Sequence, residues 1–230
     1  LVLANAKKLG GKCVAGLEVL QAEPLVLGDW IRPVTDAEHG QFDPRQTVLS
    51  GESREVALLD IVSMRVGASA DHPVQPENRA AGSGPWGLVR RVDLTRESDY
   101  RALLNKCESA RHILGGPDPS LPFGARVGRS LELREVLLAE WRTGGTQIRC
   151  SLRSRTSNGH DYDLPVTDPE WMGKVRRRGI GRWRNEEIVP GAGTVLITFS
   201  LGEAFAPPGW SSAHHWKLVA GVIPVPSQRG

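Results

Sequence analysis

Aliphatic and β-branched residues gather in six stretches flanked by turn formers, and these predict strands over 11–20, 54–66, 130–141, 146–155, 194–201 and 216–223. Six strands are a minimum. The connections 82–85, 115–122 and 206–209 hold Gly, which supplies positive φ, and Pro, which fixes φ, so the chain turns often. One segment breaks the strand pattern. Tyr100, Leu103, Leu104 and Cys107 recur at helical spacing, Ser98 stands where a cap belongs, and Gly115-Gly116-Pro117 stops the run. A second helix is predicted over 172–178, because Asp168-Pro169-Glu170 reads as a cap followed by first-turn residues.

Within 130–141 the apolar set starts at Leu131 and Leu133 and continues at Val136 and Leu138. The period-two phase slips near Glu135, which predicts a β-bulge. Strands that bulge and change partners are how a small sheet closes into a barrel. Residues 25–28 read as a strand turning back on 18–20, a hairpin with Trp30 and Arg32 near its end. The expected fold class is mostly β with a few helices. It is arranged as two small barrel-like domains, 1–95 and 123–230, with a helical and loop connection over 96–122.

Composition narrows the class without changing it. Of 230 residues, 40% are hydrophobic and 24% charged, the usage of a chain that folds. No apolar run approaches the roughly 18 to 20 residues of a membrane span, so no membrane partner is expected. The first residue is Leu1 rather than Met, and residues 1–4 are too short for a secretory signal, which leaves room for residues upstream. Cys13, Cys107 and Cys150 are odd in number and widely spaced. They fit neither a disulfide framework nor a metal site, and they point to a cytoplasmic protein. Cys13 and Cys150, with strand-like neighbours, read as small buried hydrophobes rather than nucleophiles. No cofactor, metal or catalytic residue is expected.

Charge changes the picture through its distribution. The formal net charge is +3, yet between positions 141 and 184 ten Lys or Arg stand against four acids, so this stretch carries +6 and the remainder −3. In 147–155 strand alternation puts Arg149, Ser151, Arg153 and Arg155 on one face, with Ile148, Cys150 and Leu152 on the other. Guanidiniums two residues apart are about 6.6 to 7 Å apart along a strand, a spacing suited to successive phosphates. The competing reading pairs this face with acids on a neighbouring strand, such as Glu132 and Glu140.

Residues 171–184 interleave Lys174, Arg176, Arg177, Arg178, Arg182 and Arg184 with Trp171, Trp183 and glycines, and no acid interrupts them. Single strands are held by this mixture, cations tracking phosphates and rings stacking on bases, and Trp183 is the stacking candidate. The alternative leaves the tryptophans in the core. Lys7, Lys8 and Lys12 surround Gly10-Gly11 but fail the phosphate-loop pattern, because Lys12 is followed by Cys13 and a strand. General backbone contact by these lysines stays open. His160, Asp161, Asp163 and Asp168 match no metal spacing, and a turn explains 158–161 more simply. His214 and His215, adjacent on a strand, point to opposite faces.

Three phrases then line up with a family: Lys8-Leu9-Gly10-Gly11-Lys12-Cys13-Val14-Ala15-Gly16, Asp29-Trp30-Ile31-Arg32-Pro33-Val34, and Ser200-Leu201-Gly202-Glu203 with His215-Trp216-Lys217-Leu218-Val219-Ala220-Gly221-Val222-Ile223. Together they resemble bacterial dual OB-fold domain proteins. The resemblance implies two OB-like β-barrels and a nucleic-acid-associated role, as a module beside a helicase or nuclease or within a phage-defence system. It supplies no activity.

The leading expectation is a non-catalytic nucleic-acid-binding module. Its phosphate contacts are Arg149, Arg153, Arg155, Lys174, Arg176, Arg177, Arg178, Arg182 and Arg184, and its secondary contacts Lys7, Lys8, Lys12, Trp30 and Arg32. One rival is a protein-interaction scaffold docking a larger effector through arginines and tryptophan anchors. A second is a metal-dependent enzyme acting on nucleic acid through His160, Asp161 and Asp163.

Overall fold

The computed structural model describes residues 1–8, 10–145, 147–153 and 161–227, and it divides into two units. The first, Leu1–His72 with Pro76–Lys106, holds β1 (Val2–Lys8), β2 (Gly11–Gln21), β3 (Val26–Val34), β4 (Asp60–Ser63), β5 (Val66–Ser69), β6 (Asn78–Ala81), β7 (Gly87–Arg91) and α1 (Glu97–Leu104). Its main sheet runs β1-β2-β3-β6-β5, with β4 and β7 as a separate ribbon. The register between β2 and β3 shifts on both sides of Val19, and such irregularities bend a strand toward closure. Leu3, Val14, Leu17, Leu49, Val56 and Ile61 fill the interior, and Phe42 meets Trp86 edge-on at 5.3 Å.

The second unit, Pro73–Gln75 with Cys107–Gly230, holds β8 (Ser120–Pro122), β9 (Leu131–Val136), β10 (Ala139–Thr143), β11 (Arg149–Arg153), β12 (Asp161–Pro165), α2 (Pro169–Arg177), β13 (Gly181–Arg184), α3 (Asn185–Ile188), β14 (Thr194–Phe205) and β15 (His214–Val225). One sheet runs β12-β11-β10-β13 and the other β8-β15-β14-β9. A parallel bridge from Val166 to Val219 joins the two sheets edge to edge. Both units are curled, mostly β bodies.

Helix α2 forms where the sequence places it. Asp168 caps it, one carboxylate oxygen accepting from the Glu170 and Trp171 amides at 2.9 and 3.0 Å, while the other accepts from Val222 N at 2.9 Å. Pro169 occupies the first turn, where its missing N–H costs nothing. Trp171 and Val175 are buried, and the Trp171 ring meets Trp141 at 4.9 Å. Large side chains buried in this way each contribute about 1.5 to 3 kcal/mol, which fixes the helix on the sheet and directs its basic end outward.

Three expectations change. Residues 54–66 are not one strand. Buried Asp60 accepts from Arg54, Arg91 and the Ala57 amide, and this folds the chain into a turn before β4 begins. The stretch 130–141 is two strands in different sheets. The phase slip near Glu135 therefore leads to a change of sheet at Leu137 and Leu138, both exposed. Helix α1 starts one residue before Ser98 and ends at Leu104, because Cys107 bridges Leu133 and the Glu108 amide donates to Leu133 O. Those backbone groups extend the β9 edge instead of a helix. No helix among the described residues is long and apolar enough to cross a membrane.

Candidate nucleic-acid interface

The register of the β12-β11-β10-β13 sheet sets the site. Arg142 on β10 stands opposite Arg149 on β11 and opposite Arg182 on β13, so three arginines form a row across three strands. Cross-strand partners share a face, and the inner face one residue along carries Trp141, Cys150 and Leu164, all fully buried. Like charges directly opposite one another are destabilising unless something holds them.

Asp163 does so. One carboxylate oxygen accepts from Arg142 at 2.6 Å and from Arg149 Nε at 2.9 Å, and its backbone carbonyl accepts a second Arg149 N–H at 2.5 Å. Arg182 donates to Glu140 at 2.9 Å. Arg142 and Arg149 remain 35% exposed and Arg182 67% exposed, so their charge is presented rather than buried. Arg142 Nε is buried and makes no hydrogen bond among the described residues, so the exposed part of this side chain is the outer end of its guanidinium.

The row lines a cleft of about 500 Å³ whose other walls are Thr143, Gly144, Gly145, Gln147 and Gly181. Gly144 and Gly181, at φ of 148° and 155°, adopt a backbone that L side chains avoid, and they keep this rim bare. The Thr143 hydroxyl accepts from the Gly181 amide at 2.9 Å and ties the rim together. Arginines aimed into an open, glycine-edged cleft hold anions, and the forked guanidinium suits phosphate.

The other expected contacts scatter. Lys174, Arg176, Arg177 and Arg178 occupy the C-terminal end of α2, with Lys174 paired to Glu170 at 2.8 Å; cations there also complement the helix dipole. Arg184 is exposed, opposite Glu140. Trp183 does not share the arginine face. It lies between Arg182 and Arg184 on a strand, opposite Trp141, and packs half-buried against the core, so alternation removes it as a partner of the row. Arg155 and His160 lie outside the described residues, as do the side chains of Arg153 and Asp161.

In the first unit, Lys7 is exposed opposite Lys12, Lys12 is ion-paired with Glu55, and Lys8 donates to His39 O at 2.5 Å. Trp30 is half-buried opposite Leu17. Arg32 faces inward, 2% exposed and 3.3 Å from buried Glu77; it closes the crossover from β3 to β6 and offers nothing to a ligand. Sequence reasoning overlooked Arg142 and the Trp210, His214 and Trp216 cluster.

The acids of the metal-enzyme reading are engaged elsewhere, Asp163 with two guanidiniums and Asp168 with three amides. Among the described residues no three His, Cys, Asp or Glu side chains converge to hold a metal. The Cys150 thiol is pushed well above its ordinary pKa by complete burial, and Cys107 is pushed up to about 12 by burial and then by Glu135, so neither is a thiolate at neutral pH.

The family profile for a dual OB-containing domain matches residues 1–222. The chain belongs to that family. The dual OB assignment accounts for two curled β units in one chain, though fold alone assigns no ligand. No curated protein and no solved structure matches this dual OB chain.

Proposed function

We propose that this dual OB chain is a non-catalytic module that binds the phosphate backbone of nucleic acid through the outer face of its second unit. The observation that carries the reading is the row Arg149, Arg142 and Arg182 along a glycine-rimmed cleft, with Asp163 holding the first two arginines apart from each other's charge. Arg184 and the basic end of α2 add to the same unit's positive charge. OB barrels engage strands through one sheet face and its loops, with cations tracking phosphates.

The test is fluorescence anisotropy with labelled single-stranded and duplex DNA and RNA across a salt series. Affinity should fall linearly on a log-log plot as salt rises. Arg149→Gln should flatten the slope by about 0.7 on a single strand or 0.9 on a duplex, the value for one phosphate. Asp163 retains Arg142 in this variant, so the fold survives. Absence of binding at low salt, or binding indifferent to salt, overturns the reading.

A further inference from the structure

The segment from Ala204 to Trp216 contains no charged residue and joins β14 to β15. Its turn is built by local chemistry. Pro208 and Gly209 occupy the central positions of a turn closed by the Trp210 amide on Pro207 O at 3.0 Å, with Gly209 at φ of 88°, the arrangement that Pro-Gly favours. This presents Trp210, 49% exposed, beside two further rings: His214 at 5.0 Å and Trp216 at 5.1 Å, both at steep angles to it.

One nitrogen of each of those two rings is engaged within the protein. Trp216 Nε1 donates to Phe205 O at 3.1 Å, and His214 Nδ1 lies 3.0 Å from the Ser120 hydroxyl. The rings are therefore held in place before any ligand arrives. Phe205, 58% exposed and opposite His214 in the β14–β15 register, extends this aromatic surface.

Register connects this cluster to the arginine row. Arg149 pairs with Pro165, and the next residue, Val166, bridges Val219 on β15. Val166, Lys217 and Val219 are buried, so Pro165, Leu218 and Trp216 alternate onto the outer face that carries Arg149. At strand spacings Trp216 lies on the order of 10 to 15 Å from Arg149 along the sheet, within the span of 4 to 16 nucleotides that one OB barrel covers, roughly.

We propose that Trp210, His214 and Trp216 form a stacking platform for unpaired nucleobases, which makes single strands the substrate class of the arginine face. The proposal rests on the nucleic-acid reading above. An uncharged aromatic surface adjoining a phosphate track fits the flat face of a base, which a duplex keeps stacked away.

The experiment compares wild type, Trp210→Ala and Trp210→Phe on a labelled oligoadenylate and on an abasic strand of equal length. Trp210→Ala should weaken oligoadenylate binding at least about fivefold, leave abasic binding and the salt slope unchanged, and be largely rescued by Trp210→Phe. Wild type binding both strands equally, with ordinary salt sensitivity, leaves the backbone reading standing and overturns the platform. Equal loss on both strands, or no loss on either, also overturns the platform. Wild type binding neither strand overturns both.

Discussion

Lys217 lies on β15 with no exposed side-chain surface, its Nζ donating to Gly116 O at 2.6 Å and standing 5.2 Å from the Tyr162 ring. Burial pulls its pKa down from 10.5 to about 8, against the opposing pull of Glu132 and Asp118. A folded-state pKa below the unfolded one means that between these values the unfolded chain binds more protons, so stability rises with pH across the window. At 1.36 kcal/mol per unit, this amounts to about 3 kcal/mol between pH 8 and 10.5. Lys217→Met removes the charge without orphaning Gly116 O, because the Tyr162 hydroxyl also donates to it at 2.8 Å. The variant should thus be most favoured relative to wild type near pH 8 and lose that advantage by pH 10.5. Urea unfolding followed by tryptophan fluorescence measures both proteins along this range. Only their difference is informative, since burial also raises the Tyr162 pKa and that group titrates too. A difference that stays flat with pH refutes the buried-ammonium account.

Asp168→Ala removes the cap of α2 and leaves three amides without their acceptor. A loss of about 2 to 4 kcal/mol is expected from a cap plus one stranded buried donor, read by denaturant midpoint at unchanged m-value. Arg32→Ala strands buried Glu77 and should cost about 3 to 5 kcal/mol in the same assay. The surviving folded fraction of the Arg32 variant should keep the wild-type salt slope for nucleic acid, because that guanidinium never meets solvent; a flattened slope would place Arg32 in the interface after all.

What was legible in the sequence is what local chemistry determines. The β2 and β3 hairpin, the long strands now seen as β14 and β15, and the cap at Asp168 all depend on residues a few positions apart. The buried face formed by Ile148, Cys150 and Leu152, with Arg149 and Ser151 on the other side, followed from alternation alone. For Trp183 the structure favours the core alternative: Gly179, at φ of 87°, follows the end of the helix, and from Gly181 a strand begins whose alternation sets the indole on the face opposite Arg182. Arg32 and Arg142 needed information that no window holds. Arg32 meets Glu77, far along the chain, through a parallel crossover. Arg142 joins Arg149 and Arg182 only once three strands settle their register. The Trp210 turn was readable from Pro207-Pro208-Gly209-Trp210, but those residues were treated simply as a connection.

The shared oxygen of Asp163 gives the arginine face a placeholder. In the free protein two guanidiniums already rest on a carboxylate, so any incoming anion arrives by exchange rather than by filling a vacancy. An acidic peptide would trade one carboxylate for another and gain little. A phosphodiester in the cleft would stand beside Arg182 as well as the two shared arginines, and nucleic acid releases condensed counterions as it binds. Under the proposed function, the aspartate that keeps Arg142 and Arg149 from repelling one another also sets the threshold that any incoming anion has to exceed.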